Sequence, residues 1–324
     1  MKSLISRSIG DKNPFEASKK INSDTYKCNL DYINLAQKSL PSKQILKERS
    51  LADNSIIESA RISDRQTIVV TEDGVWVRSF NRDRSLPTHS FTNNIGSIET
   101  TQKLLDTAIV LGKRAASVEQ EFPALSVTNW VWSLINQYHS THSTPVLMEE
   151  ASIHFAAQGN KHLAAWAEQK AIEETGHDRL ALLDIESLGY KAQALVQAFM
   201  SPSAKSLLDY FISSVENPDP IGVVGYSYTL ERISLAVKKK HIQAIEAIIP
   251  SGINATRCLR VHSSIGSDVE HVEETIAMVA GLTPAERNNI AIACYETARL
   301  YFSTSEQDFP LATQLQEQLQ PFKL

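Results

Sequence analysis

Residues 171–190 read AIEETGHDRLALLDIESLGY, and the fold follows from this stretch. It ends a helical segment predicted from about 160 to 188, with Gly189 as the stop signal. Glu174 and His177 stand three residues apart, which on a continuous helix puts both side chains on one face, about 60° apart in projection. An acidic residue three before a histidine on one helix face is a spacing that metal ligands use, and a single such pair is weak evidence. The neighbouring sequence shows whether it stands alone.

Working outward, the text stays helical. Ser97 caps a segment whose Leu104, Leu105, Ala108, Ile109 and Leu111 recur at threes and fours. Trp130, Leu134 and Tyr138 form a second stripe, and Thr144-Pro145 opens a helix that stops at Gly159. Further helices are predicted over AQALVQAFM, over SAKSLLDYFISSVE, from about 223 to 249 and from about 254 to 280, the last distorted near Gly266. Thr283-Pro284-Ala285-Glu286 is a capping box opening a final helix through Ile290, Cys294, Ala298 and Tyr301. Twelve glycines and twelve prolines among 324 residues fall well below the roughly 12% of average usage. Few positions are reserved for breaking helices.

Residues 1–95 differ, being polar with short apolar runs. Their clearest element is a β-hairpin near 67–80, QTIVVTEDGVWVRS, in which Asp73-Gly74 marks the turn. An isolated hairpin is marginal in water, so it is expected to lie on the helical domain, 96–324. The net charge of −5 argues against a nucleic-acid footprint. No run approaches the ~18 apolar residues of a membrane span, and the start, MKSLISRSIGDKN, lacks the apolar core of a secretory signal. Three cysteines, Cys28, Cys258 and Cys294, without close spacing suggest neither a disulfide framework nor a thiolate metal site, and fit a cytoplasmic location.

The chemistry-bearing pattern is repeated. Asp268 and His271 reproduce the spacing of Glu174 and His177, Glu231 lies between the pairs among Tyr228, Leu230 and Ile233, and His262 offers a third imidazole. Carboxylate and imidazole donors without thiolate suit iron or manganese, and doubled (E/D)-x-x-H pairs can hold two ions bridged by carboxylates. The plainer alternative is a set of solvated acid–histidine contacts on helix surfaces.

These residues resemble the heme-oxygenase-like diiron oxidases and oxygenases, relatives by fold of the thiaminase and pyrroloquinoline-quinone synthase group. The resemblance spans about 100 to 305 and rests on E-x-x-G-H-D-x-L from Glu173, the following Leu188-Gly189-Tyr190, Glu231, and the D-x-x-H of Asp268 and His271. It departs from the family at Ser264, where a histidine is usual, and at Lys170, where the first glutamate often stands. It implies an all-α, heme-oxygenase-like helical bundle with ligands Glu174, His177, Glu231, His262, Asp268 and His271, and Glu173 as the fallback carboxylate. It further implies two ferrous ions and dioxygen as co-substrate.

The implied reaction is N-oxygenation, desaturation or C–C cleavage of a small carboxylate-bearing molecule, an amino acid ahead of a fatty acid, with room for an electron donor and a homodimer. Arg257 or Arg260 would anchor the carboxylate, and Tyr228 and Trp166, with Tyr226 and Phe155, would wall the pocket. Three rivals remain. A ferritin-like diiron bundle would take Glu149 or Glu150 as its first ligand, a non-catalytic helical binding or regulatory protein would need no metal, and a metal-free hydrolase would use Cys258 or Cys294.

Overall fold

The computed structural model describes residues 56–79, 96–117, 123–263, 265 and 268–324. The rest of the 1–95 segment with Cys28, together with Ser264 and Gly266, lies outside the described residues, as does the side chain of Asp268. Strands β1 (Ile56–Ser63), β2 (Gln66–Thr71) and β3 (Gly74–Ser79) form an antiparallel sheet in the order β1-β2-β3. The expected hairpin is β2–β3, and β1 adds a strand that the polar text concealed. The register pairs Thr71 with Gly74, so the turn is Glu72-Asp73, one residue before the expected dipeptide. Thr71 accounts for the shift: its hydroxyl donates to the Gly74 carbonyl at 3.3 Å and accepts from the Trp76 indole at 3.2 Å.

The helices follow as α1 (Ile98–Ala115), α2 (Val127–His142), α3 (Thr144–Ala157), α4 (Lys161–Glu174), α5 (His177–Ser187), α6 (Ala192–Ala198) and α7 (Pro202–Val215). Then come α8 (Gly222–Ser234), α9 (Lys239–Glu246), α10 (Arg257–Val261), α11 (Asp268–Ala280), α12 (Pro284–Phe302) and α13 (Ala312–Leu319). The Ser97 cap and the Thr283–Glu286 capping box form as read. Three long helices predicted from periodicity are each broken in two: α4/α5 at Thr175-Gly176, α8/α9 after Ser234, and α10/α11 after Val261. Among the described residues no helix is long and apolar enough to cross a membrane.

The sheet packs on α1 and α12. Glu58 of β1 is buried there, accepting from Thr100 Oγ1 at 2.7 Å and Thr101 Oγ1 at 2.9 Å and meeting Arg287 Nε of α12 at 3.2 Å. A buried carboxylate needs such partners, since stripped of water alone it would cost several kcal/mol. Two apolar cores are distinguishable. One joins the sheet to α1, α3, α4, α7, α8, α11 and α12; the other joins α2, α5, α6, α9, α10 and α13. The chain passes from the first core to the second between α4 and α5, which is where the chemistry gathers.

Candidate metal centre

Gly176 sets the local geometry. Its φ of 89° lies in the left-handed region that costs an L side chain roughly 1–2 kcal/mol, and it turns the chain out of α4 straight into α5. Glu174 therefore ends one helix and His177 begins the next, in place of the shared helix face that the spacing suggested. The two still meet, His177 Nδ1 lying 2.9 Å from Glu174 Oε2.

Three other segments converge on this corner. His262, just past the end of α10, sets its ring edge-on to His177, with centroids 4.8 Å apart. Glu231 comes from α8 and receives the Ser227 hydroxyl at 3.3 Å. From α11, His271 places Nε2 3.3 Å from Glu173 Oε2. Two donor groups result, Glu174–His177–His262 and Glu174–Glu231–His271, the ligand atoms of each lying within 4.8 Å of one another. Glu174 belongs to both. Glu174, Glu231 and His271 stand on helices packed in the first core, while His177 opens α5 and His262 follows α10, helices of the second, so the cluster lies where the two cores meet.

Of the six expected ligands, five are brought together, and Asp268 contributes its place at the start of α11. Glu173, the fallback, joins them: Gln169 Nε2 donates to its Oε1 at 3.0 Å, and its Oε2 faces His271. Burial alone would raise the Glu174 carboxyl, but the His177 hydrogen bond and the charges of His262, His177 and Lys170 outweigh it and hold the group below the usual carboxylate range. Glu173 follows the same balance, burial opposed by Gln169, Lys170 and His271. Glu149 and Glu150 are exposed on α3 and belong to neither donor group.

One member of the cluster was not anticipated. Lys170, a turn before Glu174 on α4, is only 2% exposed and puts Nζ 3.1 Å from Glu173 Oε2 and 3.2 Å from Glu231 Oε1. Its place two turns before His177, where the resemblance led a glutamate to be expected, was the available signal. Asp184, which no ligand spacing marks out, is fully buried and accepts the Cys258 N–H at 3.0 Å and Arg257 Nη1 at 2.9 Å. It ties α5 to α10, and so fixes the segment that presents His262.

A cavity of about 240 Å³ opens beside the cluster, with Lys170, Glu174, Glu231 and His262 in its wall. The expected substrate contacts lie elsewhere. Arg257 is engaged by Asp184, and Arg260 pairs with Glu246. The Tyr228 hydroxyl donates to Asp106 at 3.0 Å, and the Trp166 indole donates to Thr275 at 3.2 Å. None of these four lines the cavity. Phe155 is core, whereas Tyr226 does reach the wall, accompanied by Tyr301.

No protein-family model and no curated protein matches the chain. Among solved structures, a TenA homolog from Pseudomonas syringae pv. tomato matches at 15% identity and a TM-score of 0.50, over 68% of this chain and 98% of that one. A domain of unknown function with a heme oxygenase-like fold from Shewanella denitrificans matches at 19% identity and a TM-score of 0.47, over 63% of this chain and 84% of that one. At such identity the likeness is one of fold: the described residues form a mainly helical bundle carrying a small antiparallel sheet, similar in fold to the TenA homolog.

Proposed function

We propose that the protein is a non-heme iron oxidoreductase that uses dioxygen on a small organic molecule held in the cavity, by N-oxygenation, desaturation or C–C cleavage. The observation that carries the reading is Glu174, a buried carboxylate common to two donor groups drawn from five separate segments. Oxygen and imidazole donors without thiolate fit iron or manganese. When bound, ferrous iron supplies the electron transfer to dioxygen that none of these side chains provides.

The chain's own residues hold and orient. Glu174 fixes the His177 ring through Nδ1, and Ser227 and Gln169 steady Glu231 and Glu173, the second layer of contacts on which ligand orientation depends. Met148, Leu207 and Leu230 give the cavity an apolar wall that excludes water, while Gln137, Ser140 and Thr144 offer hydrogen bonds to a polar substrate atom. Neither arginine proposed as a carboxylate anchor is in that wall. This favours a substrate recognised by neutral hydrogen bonding.

Anaerobic loading with ferrous iron, followed by elemental analysis, tests the reading. Iron should be retained by the wild type and by Glu150→Ala and lost from Glu174→Ala and His177→Ala. A folded wild type that takes up no iron refutes it.

One observation favours a metal-free hydrolase instead: Cys258 lines the same cavity. Activity that survives chelation and disappears in Cys258→Ala would select it. Cys294 cannot serve, since burial pushes its thiol up to about 12 and it faces the Gly225 carbonyl inside the core.

A further inference from the structure

Resting on the metal reading above, we propose that the two donor groups are inequivalent: Lys170 occupies the Glu231 side of the cluster as a built-in cation, so that the chain takes one divalent ion, at Glu174, His177 and His262. Three observations converge. The Lys170 ammonium is almost wholly buried and sits between Glu173 and Glu231 at 3.1 and 3.2 Å, with neither contact aligned as a hydrogen bond. A buried ammonium is retained only where opposite charge surrounds it, and these carboxylates supply that charge.

The second donor group is engaged by this arrangement at two of its three members. Glu231 contacts Lys170 directly, and His271 meets Glu173 Oε2, the oxygen that Lys170 also faces. His271 Nδ1 is buried without a hydrogen bond. The first group is held instead by its own members, His177 Nδ1 lying 2.9 Å from Glu174 Oε2 and the His262 ring standing edge-on to His177, while the ion-pair contacts of Lys170 go to Glu173 and Glu231.

Charge agrees with the count. Glu173, Glu174 and Glu231 against Lys170 leave two negative charges, which one divalent ion neutralises. A second ion would place an uncompensated double positive charge beside a buried ammonium, a cost the low-dielectric interior magnifies. The lysine thus does at one position what a metal would do there, holding two carboxylates from α4 and α8 together.

The test uses manganese(II) as an air-stable probe. Metal-free full-length protein is equilibrated with excess manganese and desalted, the ions per chain are counted by elemental analysis, and the bound ion is examined by electron paramagnetic resonance. The wild type should hold one ion with an uncoupled signal. Lys170→Glu should hold two with a spin-coupled signal, and Lys170→Arg should keep the wild-type count. Because Lys170→Glu could fail to fold, a second pair reads the same inequivalence: His271→Ala should retain the single ion and His262→Ala should lose it. Two ions in the wild type, or loss of the ion in His271→Ala, overturns the inference while leaving the metal reading intact. No bound ion in wild type and variants alike overturns the metal reading itself.

Discussion

Gly225→Ala probes the seat of the helix that carries Glu231. Gly225 lies on α8 against α12, and a Cβ placed there would stand 2.5 Å from the Ile290 carbonyl oxygen, 2.6 Å from Ala293 Cβ and 3.0 Å from the Cys294 nitrogen. The first and third of these are backbone atoms, so no rotamer change relieves them. Nor can α12 retreat, because on α1 a Cβ at Gly112 would likewise stand 2.1 Å from the Tyr295 carbonyl oxygen. The contact therefore falls at the upper end of overpacking costs, about 3 kcal/mol. Alanine returns about 1 kcal/mol of helix propensity over glycine. The net loss is about 2 kcal/mol, which at an m-value of about 3 kcal/mol/M lowers the urea midpoint by about 0.7 M. Gly222→Ala, one turn earlier on the same helix, is the control. Its Cβ meets nothing closer than Ser214 Oγ at 3.5 Å, so only the helix-propensity gain remains and the midpoint should rise, by up to about 0.3 M. A Gly225→Ala protein as stable as the wild type, or equal losses at the two positions, would refute the reasoning.

Two further outcomes follow from buried charge. Arg287→Met leaves Glu58 without its guanidinium and should cost about 3–5 kcal/mol in urea unfolding, most of it recovered in the Glu58→Leu, Arg287→Met double variant, because removing one partner is costlier than removing both. Asp308 accepts from Ser203 N at 2.7 Å and from Ser305 N and Oγ at 2.7 and 2.8 Å; burial opposes these donors, but they hold its carboxyl below the ordinary aspartate value. A lowered folded-state value gives stability that is present above the unfolded-state value and is lost as pH falls through the folded one. Asp308→Ala should therefore cost about 1–3 kcal/mol at pH 7, and the gap in urea midpoint between variant and wild type should close below about pH 4. A gap that persists unchanged at low pH would count against the assignment.

Helix was legible wherever periodicity and caps agreed: Ser97, Thr283-Pro284 and Gly189 sit where their chemistry places them. The breaks were harder to see. Gly176 lies inside an apolar rhythm that continues on both sides of it, and periodicity cannot distinguish one helix from two that meet at an angle. What decides the break is the positive φ, which passes the chain from one core to the other. Strand β1 escaped because IIESARIS carries polar residues on both faces, and Glu58, the most polar-looking position, is buried through Arg287, a partner 229 residues away.

The acidic and histidine residues of the cluster were readable from type and spacing, but the geometry that joins them differs from what the spacing implied. Glu174 and His177 meet across a helix break, and so a three-residue spacing that would have been equally visible on any exposed helix gained its meaning from Gly176. Lys170 shows the converse. Its distance from His177 placed it near the site, where it stood as a departure from the pattern the resemblance implied. Only the arrival of Glu231 from α8 and His271 from α11 reveals what the departure does. With a glutamate at position 170 the cluster would hold a fourth carboxylate and need more cation; with a lysine it carries part of that charge covalently, always present and independent of metal supply. Such a substitution preserves the attraction that draws α4 and α8 together. On the one-ion proposal it would also lower the number of ions the pocket accommodates, so that the same residue that stabilises the cluster would limit the chemistry it can host.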